Sequence, residues 1–291
     1  MLNSETVHFI GCNAVYEDAS IVLFGAPFDS TTSYRPGTRS GPRAIRSESF
    51  GLETYSAYQD RDLTDESIFD SGDLELCIGD VATALGQIGE RTRVILDDGK
   101  LPLMLGGEHL VTLGAFREVA KRYPELHVIH FDAHADLRDT LFGARLSHAC
   151  VLRRCYDVMS EVSPEGAVGK IHQFGIRSGD REEFEFAAKH TKMRRFDFVG
   201  LAETIESLGT TPVYFTVDLD VLDPSELPGT GTPEAGGVRF CDLYEAMATA
   251  CRANVVGCDV TELAPNLDTT GASTAIACKT LRELLLFLTA R

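Results

Sequence analysis

None of the eight cysteines (Cys12, Cys77, Cys150, Cys155, Cys241, Cys251, Cys258, Cys278) stands in a C-x-x-C pair, and they are scattered through 291 residues. A chain of this size needs no covalent staples, so a disulfide framework is not expected and buried free thiols are. Basic residues are scarce as well: 27 Lys and Arg face 44 Asp and Glu, a formal net charge of −17. Such a mean field disfavours nucleic acid and anionic membrane as partners and is better matched to small cations. No apolar run approaches the length of a bilayer span. Over Met1 to Ile10 there is no basic stretch followed by an apolar one, so no secretory leader is read there and the cytoplasm is the expected location.

Linkers are missing too. The chain has no low-complexity interior, no internal repeat and no Pro/Gly/Ser-rich divider, so one domain over 1–291 is expected. The glycine-rich run at 229–237 lacks G-x-G-x-x-G spacing and carries Pro233 where a backbone donor would be wanted, which argues against a dinucleotide site.

What is present is an alternation of two periodicities. Apolar runs rich in β-branched residues at 21–24, 101–105, 128–131, 171–176, 213–217 and 255–260 read as buried strands. Helical spacing occupies 81–96, 110–123, 184–190, 240–252 and 275–288. Strand and helix in turn predict an α/β fold with a mostly parallel sheet covered on both faces. The longest irregular segments, 29–43, 136–150 and 223–238, each follow a strand, and open parallel sheets bind ligands beyond the carboxyl ends of their strands. Within the first, Arg35-Pro36-Gly37-Thr38-Arg39-Ser40-Gly41-Pro42 reads as a structural loop of tight turns entering a helix, with Ser40 or Gly41 as cap.

Three strand ends carry the chemistry. Asp132-Ala133-His134-Ala135-Asp136 follows one apolar run, and a period of two would put Asp132, His134 and Asp136 on one side of the chain. Asp218-Leu219-Asp220 ends a second run at the same spacing, and Gly106-Gly107-Glu108-His109 ends a third, its glycines permitting a sharp turn or a close approach. Four aspartates gathered in a low-dielectric cleft demand cations or extensive protonation, and two divalent ions would cancel their charge. Oxygen-rich ligation with two imidazoles argues against a thiolate-rich zinc site and suits manganese first, with zinc, cobalt or magnesium behind it. Two such ions sharing a water lower its pKa toward ~7, which is hydrolytic machinery.

The segments Gly106-Gly-Glu-His109, Phe131-Asp-Ala-His-Ala-Asp136 and Thr216-Val-Asp-Leu-Asp-Val-Leu-Asp-Pro224 resemble the three signature segments of the ureohydrolases, the family of arginase and agmatinase. Similarity runs from about Ile21 to the last helix. The resemblance implies a three-layer α/β/α sandwich, two Mn2+ per chain, and a homo-oligomer, hexamer or trimer. It also implies hydrolysis of a guanidinium to urea and an amine. It places one ion at His109, Asp132, Asp136 and Asp218 and the other at Asp132, His134, Asp218 and Asp220, with Asp132 and Asp218 bridging. In the segment Asp259-Val-Thr-Glu-Leu-Ala-Pro265 it assigns Glu262 to the substrate guanidinium. His148 becomes the residue that moves protons and serves the leaving amine, a task for which an unshifted imidazole is suited. Thr232 becomes a neighbour of the guanidinium.

Arginases carry a Ser-Gly-Asn-x-His-Gly type of segment where this chain has Gly143-Ala-Arg-Leu-Ser-His148. The segments Asp136-Leu-Arg-Asp139 and Ser33-Tyr-Arg-Pro-Gly-Thr-Arg-Ser-Gly41 are instead similar to bacterial agmatinases, so agmatine, cleaved to urea and putrescine, is the expected substrate. Ala149-Cys150 and Thr261 depart from the usual agmatinase pattern and leave aminopropylagmatine, guanidinobutyrate and arginine open. A polyamine or acyl-lysine deacetylase and a non-catalytic regulatory homologue are the readings from other classes. Both fit poorly with six ligands, none of them missing.

Overall fold

The computed structural model describes residues 7–163 and 165–290, so most of the Met1 to Ile10 segment, over which no secretory leader is read, lies outside the described residues. The strands are β1 (Ile21–Ala26), β2 (Tyr55–Ser56), β3 (Arg61–Asp62), β4 (Ile68–Asp73), β5 (Leu101–Gly106), β6 (His127–Phe131), β7 (Ile171–Ile176), β8 (Lys192–Arg195), β9 (Pro212–Asp218) and β10 (Asn254–Thr261). The helices are α1 (Gly41–Glu48), α2 (Val81–Asp97), α3 (Thr112–Arg122), α4 (Val151–Val162), α5 (Arg181–His190), α6 (Leu201–Leu208), α7 (Phe240–Ala250) and α8 (Ala272–Thr289). Eight strands form one sheet in the order β4-β1-β5-β10-β9-β6-β7-β8, with every neighbouring pair parallel. β2 and β3 make a separate antiparallel hairpin, held to α8 by Ser56 Oγ donating to the buried Glu283.

Successive side chains of each central strand enter different cores. Ile21, Leu23, Leu103, Leu105, Ile129 and Phe131 pack on the face covered by α1, α6, α7 and α8. Val22, Phe24, Met104 and Val128 pack on the opposite face, under α2, α3, α4 and α5. A strand covered on both sides has no polar face, which is why these segments read as unbroken apolar runs. The three layers are those of the expected α/β/α sandwich.

Elements without such a run escape sequence reasoning. β4 is apolar only at Ile68 and Phe69; its buried Asp70 is accommodated because Arg46 donates to both of its oxygens, at 2.8 and 2.9 Å. β8 (Lys-Met-Arg-Arg) is an edge strand whose charges discourage further pairing. The turn before α1 is as expected, with Ser40 at the cap and proline in the first turn, although the Ser40 side chain makes no capping hydrogen bond. Six of the eight cysteines are buried as expected, whereas Cys77 is half-buried and Cys241 exposed. Among the described residues no helix is long and apolar enough to cross a membrane.

Candidate metal centre

Four neighbouring strands, β5, β10, β9 and β6, bring their carboxyl ends to one place. At the end of β5 the chain lies hard against the loop after β1, since a Cβ on Gly107 would stand 1.9 Å from the Phe28 carbonyl oxygen. That close approach is what requires glycine there. Two residues on, the buried His109 opens a short 3-10 turn and points Nδ1 at three carboxylates. The distances are 3.1 Å to Asp132 Oδ2, 3.1 Å to Asp136 Oδ2 and 3.3 Å to Asp218 Oδ2. A second group adjoins it: His134 Nδ1 lies 3.0 Å from Asp220 Oδ2 and 3.5 Å from Asp132 Oδ1. Asp132 presents one oxygen to each group. Asp218 turns Oδ2 to the first and uses Oδ1 to accept the Asp220 N–H at 2.8 Å.

The period of two is not what gathers these ligands. β6 stops at Phe131, and Asp136 takes φ 52°, in the left-handed region, which turns its carboxylate back toward His109. β9 likewise ends at Asp218, which caps a 3-10 turn at Leu219–Val221 and so reorients Asp220. Side-chain alternation holds only while the backbone is extended.

The protonation of His109 follows from its outer partners. Asp259 accepts the hydroxyls of Thr216 and Tyr214, each at 2.6 Å, so Thr216 Oγ1 is left to accept from His109 Nε2 at 2.9 Å. Nε2 therefore carries a hydrogen, and Nδ1 faces Asp132, Asp136 and Asp218, which against the effect of burial raise the His109 pKa well above its ordinary value. His109 Nδ1 and Asp220 Oδ2, one in each group, are buried without hydrogen-bond partners. Such orphans facing like charge are unfavourable unless a cation fills the gap, and the nitrogen and oxygen donors suit a hard or borderline divalent ion. Burial, reinforced by Asp132, pushes the Asp136 carboxyl up to about 7. Burial also raises Asp218 well above the carboxylate range, with Asp220 and Asp132 adding to it. Asp132 goes the other way: against the effect of burial, His130, His109 and His134 hold it well below that range, so its charge depends on the positive groups beside it.

Glu262 ends β10 at φ 67°, another left-handed backbone. Its N–H donates to the Gly107 carbonyl at 3.0 Å, and its Oε1 accepts the His109 N–H at 2.7 Å. Among the described residues its other oxygen has no hydrogen-bond partner. Burial, then Asp220, raise this carboxyl well above its ordinary range. His148 opens a turn that packs against the His109 turn; its N–H donates to Thr31 Oγ1 at 3.0 Å and its Nε2 lies 2.9 Å from Ser33 Oγ. Burial, with His134 and His109 beside it, lowers the His148 pKa to about 4. Where an unshifted imidazole was expected, burial has therefore moved this one downward. Thr232 lies in the 230–232 bend, which Arg35 braces by donating to the carbonyls of Thr230 at 2.7 Å and Gly231 at 3.3 Å.

The model of the arginase family matches residues 19–287. The chain belongs to the arginase family. It is 44% identical over 282 residues to an agmatinase of Bacillus anthracis, covering 96% of this chain and 95% of that one. It is 38% identical over 259 residues to an N(1)-aminopropylagmatine ureohydrolase of Thermococcus kodakarensis, covering 85% and 84%. The solved agmatine ureohydrolase of Thermoplasma volcanium superposes with a TM-score of 0.86 at 33% identity, covering 97% of this chain and 94% of the other.

One residue of this arginase-family centre escaped the sequence reading. His130 Nε2 lies 2.8 Å from Asp132 Oδ2. The Gln173 side-chain N–H2 donates both to the Ala135 carbonyl at 2.8 Å and to His130 Nδ1 at 3.1 Å. His130 is thus a donor to Asp132 through Nε2, an orienting partner of a candidate ligand. The alternation His130-x-Asp132-x-His134 was its signal, masked because His130 sits inside an apolar run.

Proposed function

We propose that this chain hydrolyses the guanidinium group of agmatine to urea and putrescine, using two Mn2+ held by the residues that the three strand ends gather. His109, Asp132, Asp136 and Asp218 would hold one ion and Asp132, His134, Asp218 and Asp220 the other. The observation that carries this reading is the buried, partnerless Nδ1 of His109 facing three carboxylate oxygens at 3.1–3.3 Å. When bound, the pair of ions supplies a water of lowered pKa and positive charge for the developing tetrahedral centre.

The protein's own groups do the rest. Glu262 offers its unpaired oxygen to a guanidinium N–H, and its own His109 bond keeps that carboxylate beside the ligand turn. His148, neutral at rest, takes up the proton that the attacking water releases and delivers it to the departing amine nitrogen, with Ser33 fixing the ring. Thr232 contacts the guanidinium from the bend that Arg35 braces. We take 1–291 as one ureohydrolase domain that works in the cytoplasm as a homo-oligomer, hexamer or trimer.

Agmatine is favoured by the 44% identity to an agmatinase; the aminopropylagmatine enzyme at 38% keeps that longer substrate as the second reading. The test is urea release with manganese present from agmatine, aminopropylagmatine, guanidinobutyrate and arginine in parallel. Agmatine is expected to give the highest kcat/KM, and Asp132→Asn or Asp220→Asn to abolish turnover. Fastest turnover of arginine, or turnover surviving in metal-depleted Asp132→Asn protein, would refute the proposal.

A further inference from the structure

Immediately after β7, Arg177 and Ser178 frame the segment that carries His134. The N–H groups of Arg177 and Ser178 both donate to the Ala133 carbonyl, at 2.7 and 2.9 Å, and the Ala135 N–H donates to the Ser178 carbonyl at 3.0 Å. The Arg177 side chain reaches the other way. Nη2 donates to the carbonyls of Asp220 (2.7 Å), Leu222 (3.2 Å) and Glu234 (2.9 Å). Nη1 donates to Val221 (3.0 Å) and Gly175 (3.4 Å), and Nε to Glu234 (3.2 Å). Among the described residues no carboxylate pairs with this half-buried cation. Its donors are spent on backbone oxygens, three of them in the turn that presents Asp220.

The surroundings are shaped to this fork. Gly175 takes φ 86°, and a Cβ there would meet Val221 Cγ2 at 2.6 Å, so β7 can approach the Asp220 turn only without a side chain at that position. A planar guanidinium with five N–H groups can satisfy carbonyls that diverge from a tight turn; an ammonium, with three donors at one point, cannot span them. We infer that Arg177 is a positioning residue for the second ion, tying the His134 segment to the Asp220 turn so that Nδ1 and Oδ2 converge. His109 and Asp136, the two first-ion groups that are not shared, receive no hydrogen bond from it, so loss of Arg177 falls more heavily on the second ion than on the first. This inference rests on the proposed two-ion site.

The experiment titrates metal-free wild type and Arg177→Lys with Mn2+ alone, by calorimetry and by metal analysis after dialysis. Wild type is expected to take up two ions per chain. The variant is expected to keep one ion much the more tightly and to bind the other about 10-fold more weakly than wild type does. The Mn2+ resonance signal should change from that of a coupled pair to that of an isolated ion. The melting midpoint of the metal-free variant should stay close to that of metal-free wild type, because the role assigned to Arg177 is local to one site. Arg177→Gln, which keeps two N–H donors, should show the same split. Two ions bound as in wild type, equal weakening of both, or failure of both variants to fold would overturn the inference. Uptake of fewer than two ions by wild type would instead overturn the two-ion reading on which it rests.

Discussion

Glu262 has one carboxylate oxygen committed to the His109 N–H and the other unpaired, in a left-handed backbone that only its surroundings can impose. Glu262→Gln keeps an acceptor for that N–H and removes the charge. Manganese content should be unchanged and kcat/KM for agmatine should fall about 100-fold or more, on the scale of a lost charge-assisted contact of roughly 3 kcal/mol. An unaltered kcat/KM in urea-release assays would take Glu262 out of the substrate site. His130 acts one step further out. His130→Phe removes its hydrogen bond to Asp132 while filling the space, and about a 10- to 100-fold loss of Mn2+ affinity is expected. Retention of wild-type affinity in equilibrium dialysis would assign His130 to packing alone. Neither backbone angle nor tautomer was legible in the sequence, because each depends on contacts from distant segments.

At the scale of elements, strand ends act as the mounts for the centre. The β5 end tolerates no side chain at Gly107, with the Phe28 carbonyl 1.9 Å from where a Cβ would be. Gly107→Ala must move one of two backbones that both carry site residues, a strain of about 1–3 kcal/mol. Its urea midpoint should fall accordingly, with lower manganese retention because His109 shifts; a midpoint equal to wild type would show that the approach is relaxed at no cost. α5 is mounted by a different device, a capping box between Asp180 and Glu183. Glu183 also accepts the Leu137 N–H at 2.9 Å, tying this helix to the chain just beyond Asp136. The six strands that read as apolar runs are the ones with both faces covered. β4 and β8, at the sheet edges, were not legible because their stability comes from pairing and ion pairs and not from an apolar pattern of their own.

For the molecule as a whole, the amino-terminal ends of β6 and β7, opposite the candidate centre, are expected to contribute to the acid response. His127 Nδ1 and His172 Nε2 lie 2.9 Å apart across β6 and β7. Burial lowers His127 to about 4, with Lys170 and Lys192 contributing. Burial lowers His172 to about 3, with His127 and Lys192 contributing. An unfolded histidine titrates near 6.5, so above that pH the pair has no effect on stability. As pH falls below about 6.5 the unfolded chain takes up protons that the folded one refuses, and stability drops by at most ~1.4 kcal/mol per pH unit per imidazole, less for the partly exposed His127. His172→Gln should therefore flatten the fall in urea midpoint between pH 6.5 and 4.5. A slope identical to wild type would mean that the acid sensitivity lies elsewhere.

What the sequence determined by itself was the inventory and its rough address. Aspartates and histidines placed directly after apolar runs must emerge at strand ends, and an acidic cluster of that size must be neutralised; both follow from local pattern and simple electrostatics. Tertiary structure alone decided that β10 lies between β5 and β9, which brings Glu262 onto the His109 turn. It decided too that Thr216 and Asp259 turn His109 Nδ1 inward, and that burial lowers the His148 pKa. Those outcomes depend on which groups become neighbours across long sequence separations, and burial and hydrogen-bond direction exist only once the layers have packed.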